Sequence, residues 1–189
     1  MSTRLVIGLA AAAALALTLP FAGHAQNAQQ RPQGAAPAAP AAPPKPMKEA
    51  IVGSWSLLIA DDVAADGTHT PQFGPNAMGL ATFGSDGRYS IQIMRAVLPK
   101  FAANARTKGT ADENKAVVQG MIAHFRSYTL DEPSKTLTFR IEGSSFPNWA
   151  GTTQKRQITS LTAGDEITWK NPTPSTGAPG AELAWKWNK

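Results

Sequence analysis

Residue types able to grip or transform a small molecule concentrate in the second half of the chain. If segments 125–131, 136–142 and 153–160 lie side by side as strands, two-residue alternation puts Arg126, Tyr128, Thr138, Arg140, Glu142, Gln154 and Arg156 on one face. Turned inward, Tyr128, Glu142, Gln154 and Arg156 are placed polar groups in a hydrophobic pocket. The same set also suits catalysis: Glu142 as acid or base, Tyr128 as proton donor, and Arg156 against developing negative charge. Turned outward, Arg140 and Glu142 merely pair with neighbours across strands. The stretch "EGSSFPNWAGTTQKR", residues 142 to 156, joins two of these strands. Gly143 and Gly151 bracket it, Pro147 stiffens it, and Phe146 and Trp149 demand burial. Residues 143 to 151 are therefore expected to fold over one end of a sheet, with Trp149 either packing on the rim or facing a ligand. Glu142 and Arg156 are expected on one side of their paired strands, close enough to interact.

Other chemistries find little support. After the first 25 residues there are two histidines, His69 and His124, and no cysteine. Neither histidine has a second histidine or a carboxylate at helical metal-site spacing, so no metal site of the zinc type is expected. No Gly-x-Ser-x-Gly is present, and "GSS" at 143 to 145 leads to no identifiable base. "GSDGR" reads as a hairpin turn, in which Asp-Gly accepts positive φ angles, and not as a phosphate loop. No cofactor is expected.

The elements that must position these residues are legible from periodicity. "RYSIQIM" (88 to 94) sets Tyr89, Ile91 and Ile93 against Ser90, Gln92 and Met94. "KTLTFRIE" (135 to 142), "DEITWK" and "AELAWKW" repeat the alternation. Turn signals separate them at "ADGT", "SDGR", "DEPSK" and "TAGDE". Short strands joined by tight turns describe an all-β antiparallel meander. One stretch departs from this pattern. Thr110 followed by Glu113 is a capping box, which predicts a helix from about Ala111 to Ala123, with His124 capping or packing at its end.

Composition divides the chain of 189 residues. Met1 to Arg4 is a short positive start, Leu5 to Leu19 an apolar run, and "FAGHA" supplies small residues for cleavage. Residues 1–25 therefore read as a secretory signal, too short to span a bilayer with ease, and the mature protein is expected in the periplasm or secreted. Residues 26–48 are nearly all Ala, Pro and Gln, a composition that predicts a disordered tether. Residues 49–189 form the folded domain, which contains all five Trp and no cysteine, so its stability rests on packing. The pI near 9.7 is weak reason to expect nucleic acid. From Ile51 onward, 14 Lys plus Arg face 12 Asp plus Glu, a net of +2, with the signs interspersed.

Gly53-Ser54-Trp55 matches the Gly-x-Trp that opens lipocalin barrels. "FGPNAMGLATFGSDGRYSIQIMR" and "FRSYTLDEPSKTLTFRIEGSSFPNWAGTTQKR", followed by a closing strand, resemble the bacterial lipocalin-like domain family over about residues 50 to 188. Glu142, Gly143, Pro147, Asn148, Trp149, Gly151, Gln154 and Arg156 fall where that family places such residues. The resemblance implies a lipocalin-like β-barrel with one or two short helices inserted between strands. It also implies a Trp55 sealed at the closed end under a basic residue of the last strand, here Lys186. Many members carry a histidine beside the position of Arg140; this chain departs from that pattern with Phe139-Arg140-Ile141, so histidine chemistry is not expected there. Three functions remain open: non-catalytic binding of a small, mostly apolar molecule; an isomerase-, cyclase- or hydratase-like enzyme; and an envelope protein-interaction module.

Overall fold

The computed structural model describes residues 45–189. The expected signal segment, and the tether up to residue 44, lie outside the described residues. Met47–Ala50 forms a single helical turn, α1, which begins two residues before the expected domain boundary and packs Met47 against the core.

Nine strands follow: β1 Gly53–Val63, β2 His69–Pro71, β3 Met78–Phe83, β4 Arg88–Met94, β5 Met121–Asp131, β6 Thr136–Ser144, β7 Thr153–Thr162, β8 Glu166–Asn171 and β9 Gly180–Trp187. All pairings are antiparallel. Eight strands run in sequence order from β1 through β3 to β9, and β9 pairs back to β1, closing a barrel. The short β2 lies outside this ring, on the far half of β1. Closure removes the free edges that an open sheet would expose. Inward positions recur every second residue, as in Tyr89, Ile91 and Ile93, or Leu137, Phe139 and Ile141, all of them buried.

The two ends of the barrel differ in their connections. Tight turns join β3 to β4, β5 to β6 and β7 to β8 at one end, where β1 starts and β9 stops. There Trp55 is fully buried, donates from Nε1 to the Ile51 carbonyl at 2.9 Å, and meets the edge of Trp187 with ring centroids 4.9 Å apart. Gly53 sits at φ +138°, and a side chain there would overlap the Trp187 ring. The Gly-x-Trp is thus a packing device: the glycine gives up its side chain so that two tryptophans can seal the end. Lys186 is not the seal that the resemblance implied. Its residue alternates outward from Trp185 and Trp187, and its half-exposed ammonium pairs with Asp165 on the surface.

Longer connections occupy the other end. Between β4 and β5 lie a 3-10 turn at Arg106–Lys108 and helix α2, Ala111–Gln119. The capping box is formed: Thr110 Oγ1 accepts from the Glu113 amide at 3.2 Å, and Glu113 Oε2 accepts from the Thr110 amide at 2.8 Å. Amide donors from Ala102 and Thr110 hold the Glu113 carboxyl below its ordinary pKa. The helix stops four residues before the expected end. Met121, Ile122 and Ala123 instead pair with Met94, Ile93 and Gln92, because the β4 edge offers a full ladder that a lone helical turn cannot match.

Candidate functional site

The long-loop end holds the polar cluster of the interior. On β7, inward alternation runs Gln154, Arg156, Ile158. Arg156 lies opposite Leu137 in the β6–β7 ladder and is only 3% exposed. Its Nη1 donates to the Lys155 carbonyl at 2.9 Å and its Nη2 to Gln154 Oε1 at 2.7 Å. The guanidinium carbon stands 5.8 Å from the Phe139 ring centroid and 5.7 Å from that of Trp149. Aromatic faces attract a desolvated cation, but a buried charge without a counter-ion still costs several kcal/mol. Burial draws the Arg156 pKa down to about 10, which leaves it charged at neutral pH.

Beside it, β4 and β5 bring Tyr89 and His124 together. His124 pairs with Ile91, points inward and is 5% exposed. The Tyr89 hydroxyl and His124 Nδ1 are 2.8 Å apart. Burial, and then the nearby Arg156 charge, push His124 down to about 3, so the imidazole is neutral at physiological pH. Burial also raises the Tyr89 phenol, which stays protonated. The His124 ring meets Phe139 edge-on at 5.7 Å and Trp149 at 5.5 Å, so the same two aromatic walls border both the imidazole and the guanidinium.

The expected corner over residues 143 to 151 is present. Pro147–Trp149 is a single 3-10 turn started by the proline, whose fixed φ suits a helical first position. Trp149 is 9% exposed and faces the barrel interior. Gly151 at φ +77° donates to the Ile141 carbonyl at 2.9 Å, returning the chain to β7 in a conformation that a side chain would strain. The alternatives for Trp149 therefore merge: it packs on the rim and lines the interior at once.

A cavity of about 30 Å³ remains at this end. Its apolar wall includes Ile91, Ile93, Ile122, Phe139, Trp149 and Leu183, and its polar lining includes His124, Arg156 and Asn171. Pro174 and Ser175, from the β8–β9 connection, and Gln72, from the β2–β3 connection, close it over. One carboxylate ties both connections down. Asp62 Oδ1 accepts from Gln72 Nε2 at 2.6 Å and from Thr176 Oγ1 at 2.7 Å.

Three expectations are corrected. Glu142 is on the outer wall, two-thirds exposed, and its carboxylate lies 3.5 Å from Arg126, not near Arg156. The two cannot share a face: Phe139 and Ile141 point inward, so Glu142 points out, whereas Leu137 brings its ladder partner Arg156 inward. Tyr128 is remote from the cluster. A bulge at Phe125/Arg126 separates it from His124, and its hydroxyl donates to the Gly84 carbonyl at 2.9 Å near the tight-turn end. His124 is not at a helix end and caps nothing: it lies within β5, where it packs in the interior as the other half of that expectation had it. Gln154 does share the inward face of Arg156 and orients it. Tyr89 and His124 were missed as site residues, although "RYSIQIM" already placed Tyr89 on the face of Ile91 and Ile93. A strand begun at Met121 would likewise have put His124 in phase with Ile122.

Among the described residues, no group of three His, Cys, Asp or Glu side chains is arranged to hold a metal ion, and no helix is long and apolar enough to cross a membrane.

The closed eight-stranded antiparallel barrel, sealed by tryptophans at one end and holding a polar cluster at the other, is a lipocalin-like all-β fold. The chain belongs to the lipocalin-like domain family, whose profile matches residues 52–187. It is also similar to the 4'-hydroxy-3'-methoxypropiophenone carrier protein ppsC of Aspergillus oryzae. The two are 29% identical over 75 residues, which cover 36% of this chain and 68% of the fungal protein.

Proposed function

We propose that this protein is an exported, non-catalytic binder that carries a small, mostly apolar molecule in the long-loop end of its barrel. One observation carries the reading: apolar strand residues and a few fixed polar groups converge there on an interior cavity. The fungal relative, named as a carrier, supports the same class of activity. The cavity of about 30 Å³ has room for water but not for an organic ligand. Arg156 and Asn171 also border an open cleft of about 530 Å³, and in this reading the ligand enters the interior as the Pro174–Ser175 connection moves off the mouth. The chemistry of the cluster favours binding over turnover. A histidine with a pKa of about 3 is too weak a base to take a proton at neutral pH. Export rests on the apolar run and "AGHA" at the start of the chain.

Native mass spectrometry of protein purified from its own host tests the carrier reading: a retained small molecule supports it, and a purely ligand-free mass opposes it. Intact mass of the exported protein is expected to show Gln26 as the new N-terminus. Retention of Met1 would refute processing.

A further inference from the structure

The interior cluster is strongly one-sided in its hydrogen-bonding character. Arg156 has five N–H donors and gives two hydrogen bonds, both to neutral oxygens. Among the described residues no carboxylate lies within salt-bridge distance of it. Asn171, 5% exposed, uses its Oδ1 to accept from the Thr173 amide at 3.0 Å, so the end left over is its NH₂ donor. The Tyr89–His124 pair adds one more proton whichever way its shared bond runs. If Tyr89 donates, His124 keeps Nε2–H; if Nδ1 donates, Tyr89 keeps its hydroxyl proton and Nε2 is an acceptor. The carboxylate at the mouth, Asp62, accepts from Gln72 and Thr176 through Oδ1 and makes no salt bridge to Arg156. Donors thus outnumber free acceptors around a charged guanidinium, and the remaining wall is apolar, with Phe139 and Trp149 as the aromatic faces beside the guanidinium.

A cation would be repelled here, and a wholly apolar guest would leave Arg156 desolvated and unpaired. An oxyanion on the guest's head would supply the missing counter-charge, with short charge-assisted hydrogen bonds. Resting on the carrier reading above, we infer that the ligand is an aromatic organic anion. Its carboxylate or phenolate oxygen sits on Arg156 within reach of Asn171 and the Tyr89–His124 proton, and its ring lies against Trp149 and Phe139. The present cavity matches the anionic head alone. The ring takes the place of Pro174 and Ser175, whose connection is held shut by the Thr176–Asp62 hydrogen bond.

Calorimetric titration of the full chain with two matched pairs tests the inference: benzoate against benzamide, and trans-cinnamate against trans-cinnamamide. At least one acid is expected to bind about tenfold or more tightly than its amide, the scale of one charge-assisted contact. In Arg156→Gln that preference should collapse to about one, while Arg156→Lys keeps part of it. Circular dichroism of both variants establishes that they are folded, and the Lys variant carries the test should the Gln variant fail to fold. Equal binding of acid and amide, or an acid preference that survives Arg156→Gln, would overturn the anion inference and leave the carrier reading standing. A retained neutral lipid in the native protein, with no acid bound, would do the same. Absence of any retained molecule and of any binding by either pair would remove both.

Discussion

The two ends of this barrel solve opposite problems with similar residues. Each is closed by tryptophan. At the tight-turn end Trp55 and Trp187 pack edge to face, the indole N–H of Trp55 has a backbone acceptor, and a glycine makes room. At the other end Trp149 packs against His124 and a charged arginine, under connections tied by a single carboxylate. The first arrangement gives the Trp55 N–H a backbone acceptor, while the buried Trp185 Nε1–H two residues along the ladder has no partner among the described residues. The second keeps an uncompensated charge and a neutral imidazole in the dark, which costs stability and is retained where something else completes it. A stable barrel can afford such a site because its stability is concentrated elsewhere.

That contrast is open to attack by substitution. Trp55→Ala empties the sealed end and should cost about 3–5 kcal/mol in denaturant unfolding. Trp149→Ala should cost less, near the low end of that range at about 3 kcal/mol, because a rim covered by loops can collapse into the space. Equal losses would erase the distinction between the ends.

The buried imidazole makes a pH prediction. The folded pKa of His124 lies near 3, below its ordinary value of 6.5. Between these limits the unfolded chain binds the extra proton, so stability is full above about pH 6.5 and falls as the pH drops toward 3. The contribution to the slope approaches about 1.4 kcal/mol per pH unit for one proton. His124→Gln should flatten the stability profile between pH 6 and 4, read by urea unfolding across that range. An unchanged slope would mean that the imidazole takes up its proton without unfolding.

Arg156→Met keeps the bulk and removes the buried charge. It should raise stability by about 1–2 kcal/mol while abolishing ligand affinity, the opposite signs expected of a functional group held at a cost. A destabilised variant would show that the cation–π contacts already balance its desolvation. The smallest effect belongs to Glu142→Gln on the outer wall. Its exposed pairing with Arg126 should be worth less than about 1 kcal/mol, and ligand binding should not change.

Strand positions and phases were readable because alternation reports directly which residues face a common core. "RYSIQIM" is β4 residue for residue, and the inward phase of Leu137, Phe139 and Ile141 follows the pattern. The corner at 143 to 151 was readable for a different reason: Pro147, the flanking glycines and two large aromatics leave the backbone few alternatives. The functional cluster was only half legible. Arg156, Gln154 and Trp149 were visible from the corner, but their partners across the barrel were not. Glu142 looked like a partner because it is near in sequence. Ladder register puts one residue inward and its chain neighbour outward, so a shift of one position decides whether a charge meets the cavity or the solvent.

The amino-acid sequence by itself thus determined the all-β class, the succession of strands and turns, and the capped start of the helix between β4 and β5. These are local matters of periodicity and turn chemistry. Tertiary structure alone decided that the chain leaves its helix at Gly120 to pair Met121–Ala123 with β4, carrying His124 into the interior. It alone set Tyr89 against that histidine and left Arg156 with no carboxylate partner among the described residues. Tyr89, His124 and Arg156 come from three strands with long connections between them. Their meeting depends on closing the barrel and choosing one register around it, a property of the whole sheet that no single stretch encodes.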